Sequence, residues 1–133
     1  MNTDELFENF ELLDDWEDKY RYLIDLGEKL PPLEEKYKSD EWLVSGCQSQ
    51  VWLVPQYAAD GKINFAGDSD AMIVRGLLAV VLMLLSGKTA AEISAFDAES
   101  ALARLGLAEH LSPSRRNGLG AMLAKIRFYA EQV

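Results

Sequence analysis

The sequence predicts an α+β fold, with a small antiparallel three-stranded sheet covered by helices on one face. Both terminal segments carry apolar residues at helical spacing, whereas the middle holds short, partly alternating apolar runs bounded by turn residues. Helices followed by strands and then by more helices are typical of segregated α+β domains. With 133 residues, 49% of them hydrophobic, the chain suits one domain over residues 1–133 whose core needs no disulfides.

Two helices are predicted before residue 33. Thr3 can cap the first helix through its side-chain oxygen. The second is expected to begin near Asp15 and to end at Leu30-Pro31-Pro32, because a residue that precedes proline is biased away from the helical region. The charged stretch over residues 33–40 is expected to be irregular.

The middle of the chain predicts three short strands, over residues 41–44, 50–57 and 63–66. Ala59-Asp60-Gly61-Lys62 is typical of a turn, so the last two strands are expected to form a hairpin. Gly67-Asp68-Ser69-Asp70 then predicts a strand-to-helix turn, in which Ser69 or Asp70 accepts from exposed amides of the next helix.

The C-terminal part predicts four helices. The segment over residues 71–85 is apolar nearly all round, which is typical of a central buried helix. Thr89-Ala90-Ala91-Glu92 is a capping box for a short helix, and a further short helix is expected over residues 98–105. Ser112-Pro113 supplies a cap and a first-turn proline for the last helix.

The composition excludes several classes of partner. A formal net charge of −9 disfavours nucleic acid and anionic lipid, and favours a partner with a basic patch. The acidic start over residues 1–5 lacks the features of an export signal, and the longest apolar run, residues 77–85, is about half a membrane span. A free cysteine without a targeting segment predicts a cytoplasmic protein.

The single cysteine, Cys47, is the main candidate for chemistry. A lone thiol forms no internal disulfide and no multi-thiolate metal site, but it can act as a nucleophile once deprotonated. It lies in Ser45-Gly46-Cys47-Gln48-Ser49-Gln50-Val51-Trp52, a polar and glycine-flanked setting that predicts a loop before a strand. Many free cysteines are instead small buried hydrophobes, and that interpretation stays open.

Other catalytic patterns are weak. The single histidine, His110, has no local signature that pairs it with a cysteine nucleophile, and one Cys with one His makes a poor metal site. Gly118-Leu119-Gly120 lacks the spacing of a phosphate loop. Asp68 and Asp70 resemble a pair of acid–base carboxylates, although a turn and helix cap explains them more simply.

Arg115 and Arg116 lie in the first turn of the predicted last helix. A positive charge there opposes the helix dipole, so helix stability does not explain either residue. Salt bridges to an acidic surface are one explanation. The other is that a guanidinium contacts a partner or helps to hold an anionic sulfur species.

Four blocks of the sequence resemble the SufE family, the sulfur-acceptor proteins of cysteine desulfurases. The blocks are Trp16-Glu17-Asp18-Lys19-Tyr20 with Leu26 to Pro31, Gly46-Cys47-Gln48-Ser49-Gln50-Val51-Trp52, Gly67 to Ala71 with Ile73-Val74-Arg75-Gly76-Leu77, and His110 to Arg115 with Asn117-Gly118-Leu119. They span almost the whole chain in the family's order, which makes the resemblance more specific than any single motif.

The resemblance implies a mechanism. The motif cysteine, here Cys47, would take persulfide sulfur from a cysteine desulfurase of the SufS or CsdA type, stimulate that enzyme and pass sulfur toward iron–sulfur cluster assembly. The desulfurase carries pyridoxal phosphate, while the acceptor needs no cofactor and no metal. The implied fold is like that of SufE and of IscU-type scaffolds. Iron–sulfur scaffold proteins are implied as further partners, and a homodimer stays open.

The resemblance also implies supporting or partner-docking positions around the cysteine. These are Gly46, Gln48, Ser49, Gln50, Trp52, Asp70 and Arg115. Val51 and Trp52, with the central helix, are expected to shelter the loaded sulfur, and the loop is expected to move between tucked and extended states. Gln48, Ser49 and Gln50 either order this loop through backbone contacts or serve as polar linkers.

Two alternatives remain at the level of sequence. A thiol redox sensor or peroxidase would load oxygen onto Cys47, although no acid or base for peroxide cleavage stands in the motif. A noncatalytic adaptor would keep Cys47 buried.

Overall fold

The computed structural model describes residues 3–107 and 109–133. It confirms the α+β class and the three-stranded antiparallel sheet. The helices of the described part are α1 (Thr3–Glu11), α2 (Trp16–Glu28), α3 (Met72–Leu85), α4 (Ala90–Ala95), α5 (Ala98–Leu105) and α6 (Pro113–Glu131). The strands are β1 (Val51–Tyr57), β2 (Lys62–Ser69) and β3 (Lys88–Thr89), and two 3-10 turns cover Glu35–Tyr37 and Asp40–Trp42.

The helix starts follow the local capping chemistry of the sequence. The Asp15 side chain accepts from the backbone N–H of Asp18 at the start of α2. Thr89 and Glu92 form the predicted capping box of α4. Ser112 caps α6 with Pro113 in its first turn. These side chains satisfy amides that a helix leaves unpaired, which fixes where each helix begins.

The third strand is not the one that the sequence predicts. β1 pairs with β2 and β2 pairs with β3, so the third strand is Lys88–Thr89. Residues 41–44 were expected to form a strand, but a 3-10 turn occupies their start and only one isolated bridge joins Leu43 to Trp52. A strand of two residues has no periodicity to detect, because alternation needs at least four residues to show.

The strand β2 runs further than predicted. Gly67, Asp68 and Ser69 were expected in a turn, but they pair in register with Leu53, Trp52 and Val51 of β1. The helix α3 therefore begins after Ala71, a cap residue without a side-chain hydrogen bond. The hydroxyl of Ser69 accepts from the N–H of Ala71, which is the part of the predicted turn chemistry that holds.

The central helix α3 is buried along most of its length, as its apolar sequence predicts. It crosses α2 at very close range, because a Cβ on Gly76 would lie 2.2 Å from the carbonyl oxygen of Leu23. The helix α6 turns Leu119, Met122 and Ile126 into the same core. This packing brings the first turns of α3 and α6 to the end of the sheet where β1 starts. Within the described residues, no helix combines the length and apolarity needed to span a bilayer.

Candidate functional site

The loop that carries Cys47 closes on its own base. It covers residues 45–50, and the N–H of Val44 donates to the carbonyl of Val51 across its base at 2.8 Å. Gly46 has a φ of +93°, in the left-handed region where other residues are strained. Gly46 and Gln48 are exposed, whereas Cys47 between them is half-buried and turned inward. Glycine thus allows the turn that points the thiol into the protein.

The thiol of Cys47 meets α6 at a glycine. Its S–H donates to the carbonyl of Gly118 at an Sγ–O distance of 3.6 Å, and a Cβ on Gly118 would also lie 3.6 Å from Sγ. No role for Gly118 follows from its motif alone. A signal was present, because glycine inside a helix costs about 1 kcal/mol relative to alanine and so suggests a close neighbour.

The thiol faces a cavity of about 310 Å³. The loop, α3 and α6 each contribute to the lining, which consists of Cys47, Gln48, Ser49, Ala71, Ile73, Val74, Leu77, Ser112, Ser114, Arg115, Gly118 and Met122. One part of the wall is therefore aliphatic, and another part carries hydroxyls and one guanidinium. The volume is at the lower end of the range for small-ligand pockets, so there is ample room for an added sulfur atom.

Arg115 supplies the positive charge of this cavity. It lies in the first turn of α6, where the hydroxyl of Ser112 accepts from its backbone N–H at 3.3 Å. Within the described part of the chain, its guanidinium forms no ion pair, so the predicted salt bridge to an acidic surface is not seen. A guanidinium that lines the thiol cavity and pairs with no carboxylate of the described residues favours an anionic group there.

Burial raises the pKa of the Cys47 thiol above its ordinary value. The apolar wall penalises the thiolate, and the carbonyl of Gly118 accepts from the protonated form. Since the thiolate is the nucleophile, the inward thiol is held in its unreactive form at neutral pH. Movement toward water would lower the pKa and activate it.

Asp70 anchors the far end of the loop. Its Oδ1 accepts from the N–H of Gln50 at 3.0 Å, and its own N–H donates to the carbonyl of Gln50 at 3.2 Å. Either Ser69 or Asp70 was predicted to accept from amides at the start of α3. Ser69 does so, whereas Asp70 accepts from the loop instead. The reciprocal pair fixes residue 50, which leaves residues 45–49 as the segment that can move.

Trp52 lies apart from the cavity. It is half-buried on β1, opposite Asp68 in the register, and neither residue lines the cavity. Lys38 Nζ lies 5.9 Å from the centre of the Trp52 ring. Val51 is also absent from the cavity lining, so the shelter expected from Val51 and Trp52 comes from α3 and α6 instead.

Asp68 belongs to an ion cluster beneath the loop. Its carboxylate is 12% exposed and lies 2.8 Å from Arg75 Nε and 3.4 Å from Lys38 Nζ. It also accepts from the N–H of Ser69. These contacts give Asp68 a structural role, and they keep it apart from Asp70, so the two carboxylates do not form an acid–base pair.

The histidine is engaged elsewhere. The ring of His110 stacks on that of Trp16 with centroids 4.9 Å apart, and His110 does not line the thiol cavity. The described residues bring together no group of three or more His, Cys, Asp or Glu that would hold a metal ion. The chemistry of the cavity therefore centres on Cys47.

Comparison with known proteins yields one family throughout. The model of the SufE family, described as an Fe-S metabolism associated domain, matches residues 4–130. An uncharacterized SufE-like protein of Rhizobium etli is 50% identical over 129 residues, covering 95% of this chain and 87% of that protein. Another from Rhizobium meliloti is 47% identical over 133 residues, covering 98% of this chain and 95% of that protein.

A solved structure shares the fold. The solution structure of a hypothetical protein from Thermus thermophilus superposes with a TM-score of 0.77, covering 98% of this chain and 93% of that one. The two sequences are 20% identical, so this likeness concerns the fold alone.

Proposed function

Because the chain belongs to the SufE family of Fe-S metabolism associated domains, we propose that it is a sulfur acceptor that carries a persulfide on Cys47. The thiolate of Cys47 attacks the outer sulfur of a persulfide on a cysteine desulfurase. The S–S bond of the donor breaks, the desulfurase cysteine leaves as a thiolate, and a new S–S bond forms on Cys47. No oxidant or reductant is consumed, because the sulfur moves at constant oxidation state.

The observation that carries this proposal is the thiol facing a cavity with room beyond it. A cysteine that only fills the core would be packed on all sides. Cys47 instead has a cavity of about 310 Å³ in front of Sγ, with an aliphatic wall and one guanidinium. The aliphatic wall would keep reductants and oxidants from the loaded sulfur, and Arg115 would favour a persulfide anion.

Sulfur uptake then requires the loop to open. The tucked thiol is protonated and contacts Gly118, so it reaches a donor only after residues 45–49 swing outward. In water the pKa of the thiol falls toward its ordinary value. A larger fraction of Cys47 is therefore thiolate when it meets the donor persulfide. The anchor between Gln50 and Asp70 stays in place as the fixed end of this movement.

Further roles follow from the same chemistry. The protein would stimulate the desulfurase, because removal of the sulfur frees the enzyme's cysteine for another turnover. A nucleophile on an iron–sulfur scaffold would then attack the outer sulfur and regenerate the Cys47 thiolate. In this proposal the pyridoxal phosphate belongs to the desulfurase, the chain itself performs no cofactor chemistry, and it works in the cytoplasm.

Mass spectrometry tests the proposal directly. The purified protein is incubated with a cysteine desulfurase and cysteine, and the intact mass is measured without reductant. We expect one added sulfur atom on the wild type and none on Cys47→Ser, whose hydroxyl has nearly the same size. Desulfurase turnover should rise with the wild type and not with the serine variant.

Two outcomes would contradict the proposal. Unchanged turnover together with an unmodified mass would exclude the sulfur acceptor. An adduct of oxygen on Cys47 after treatment with peroxide, without any sulfur adduct from the desulfurase, would instead favour a thiol redox sensor.

A further inference from the structure

A second groove lies on the other side of α6 from the thiol cavity. It has a volume of about 390 Å³, and its exposed lining is mainly apolar. Four apolar side chains and two arginines define it, namely Phe96, Leu102, Leu119, Leu123, Arg116 and Arg127. We call it the α5–α6 groove. The function proposed for Cys47 makes no use of it.

The two arginines of the α5–α6 groove have no ionic partner among the residues that the structure describes. Arg116 and Arg127 are exposed, and within the described residues neither forms an ion pair. Arg116 also lies in the first turn of α6, where its charge opposes the helix dipole. Neither the fold nor the net charge of −9 requires two unpaired cations beside an apolar surface.

The acidic residues of the groove, in contrast, have local roles. The carboxylate of Asp97 caps α5 by accepting from the N–H and the hydroxyl of Ser100. Glu99 lies in the first turn of the same helix, where a negative charge is favourable. These carboxylates are explained by α5, so the arginines stay available for an acidic group from outside.

The groove adjoins the thiol site along the chain. Arg115 lines the thiol cavity, whereas the next residue, Arg116, lines the groove. Likewise, Gly118 lines the thiol cavity and Leu119 lines the groove. A protein that receives the Cys47 loop at one side of α6 would therefore extend naturally over the other side.

We infer that the α5–α6 groove docks an acidic segment of the cysteine desulfurase that also carries apolar side chains. This inference rests on the proposed function. Carboxylates of the segment would pair with Arg116 and Arg127, and its apolar side chains would cover the floor between them. Because the chain carries a net charge of −9, these two cations would fix the register in which this acidic segment docks.

Titration of desulfurase activation tests this docking site. The double variant Arg116→Glu/Arg127→Glu is compared with Lys29→Glu/Lys62→Glu, which changes the net charge equally at exposed lysines next to α2 and on β2. At low ionic strength we expect the groove variant to need about tenfold more protein for half-maximal activation than the control variant. The difference should shrink as salt screens the charges.

A loading assay without the enzyme separates docking from chemistry. Inorganic polysulfide supplies sulfur to Cys47 directly, and the groove variant should load at the wild-type rate. Equal half-saturation for the two double variants would overturn the inference and leave the proposed function intact. If the groove variant takes sulfur normally from the desulfurase but fails to pass it on, the occupant belongs to the recipient and the inference is also wrong.

Failure of the proposed function gives a different pattern. In that case the wild type itself would neither activate the desulfurase nor gain sulfur from it. The docking inference would then fall with the function on which it rests.

Discussion

The crossing of α2 and α3 offers the sharpest test of the packing behind the thiol site. A Cβ on Gly76 would lie 2.2 Å from the carbonyl oxygen and 2.6 Å from the carbonyl carbon of Leu23. On the facing helix, a Cβ on Gly27 would lie 2.7 Å from the backbone nitrogen of Gly76. The obstructing atoms belong to the backbone, so no side-chain rotation can relieve the clash. Gly76→Ala must therefore push the two helices apart.

The expected cost follows from two opposing effects. Overpacking costs roughly 1–3 kcal/mol, and a backbone obstruction favours the upper end. Alanine in place of glycine returns about 1 kcal/mol through helix propensity. We therefore expect Gly76→Ala to lower the free energy of unfolding by about 2 kcal/mol, which corresponds to about 6–8 °C in Tm for a domain of this length.

Chemical denaturation followed by tryptophan fluorescence measures this change. Gly120→Ala is the matched control, because Gly120 lies in α6 and its ideal Cβ meets nothing within 4 Å among the described residues beyond its chain neighbours and the nearby backbone of α6. The control should gain up to about 1 kcal/mol in stability. If Gly76→Ala is as stable as the wild type while Gly120→Ala is stabilised, the close crossing of α2 and α3 is wrong.

Three further predictions concern the loop and its support. The rate of alkylation of Cys47 by iodoacetamide should rise with pH around a midpoint above that of the unfolded chain, because burial raises its pKa; equal midpoints in buffer and denaturant would contradict this. The sign for stability follows: the unfolded state loses its proton first, so stability should fall as pH rises from the ordinary to the raised pKa, and Cys47→Ser should abolish that fall in pH-dependent denaturation. Asp70→Ala removes the acceptor of the Gln50 N–H and should lower the free energy of unfolding by about 1 kcal/mol in chemical denaturation; an unchanged free energy would exclude the anchor. Asp68→Asn leaves Arg75 without its carboxylate, whereas Lys38 keeps its pairing with Glu35, and should cost about 1–3 kcal/mol, less than a fully buried pair because both cations are partly exposed; denaturation midpoints equal to the wild type would show the cluster to be inert.

The sequence predicted most helices because their signals are local. Asp15, Thr89 and Ser112 each cap a helix through a hydrogen bond to a residue three positions on. The apolar run of α3 identified the buried centre in the same way. Such signals lie within one turn of chain, so a single sequence contains them in full.

The sheet was harder to predict because pairing is not local. Lys88–Thr89 becomes a strand only because β2 offers it an edge, and residues 67–69 extend β2 because β1 continues opposite them. The strand expected over residues 41–44 includes Trp42, but in the structure Trp42 belongs to a 3-10 turn. Strand identity in this molecule therefore depends on a partner that no local pattern reveals.

The candidate site shows the same difference between local features, which the sequence contains, and long-range contacts, which it does not. The thiol and its glycine hinge were visible in the sequence, as was the mismatch of Arg115 with the helix dipole. The contact of Cys47 with Gly118 spans 71 positions of the chain, and the exclusion of Trp52 from the cavity depends on the direction in which β1 presents its side chains. Only the assembled fold determines such relations.

The environment of Cys47 distinguishes a carrier from a redox sensor. Sensor cysteines react with peroxide because they are accessible and have a lowered pKa. Cys47 has the opposite properties, since it is half-buried, its pKa is raised, and its S–H donates to the carbonyl of Gly118. A carrier gains from this arrangement, because a thiol that is inert when tucked resists oxidation until a donor draws it out. In the proposed function the cavity beyond Sγ would protect the sulfur that Cys47 brings back, whereas a sensor would have no use for that space.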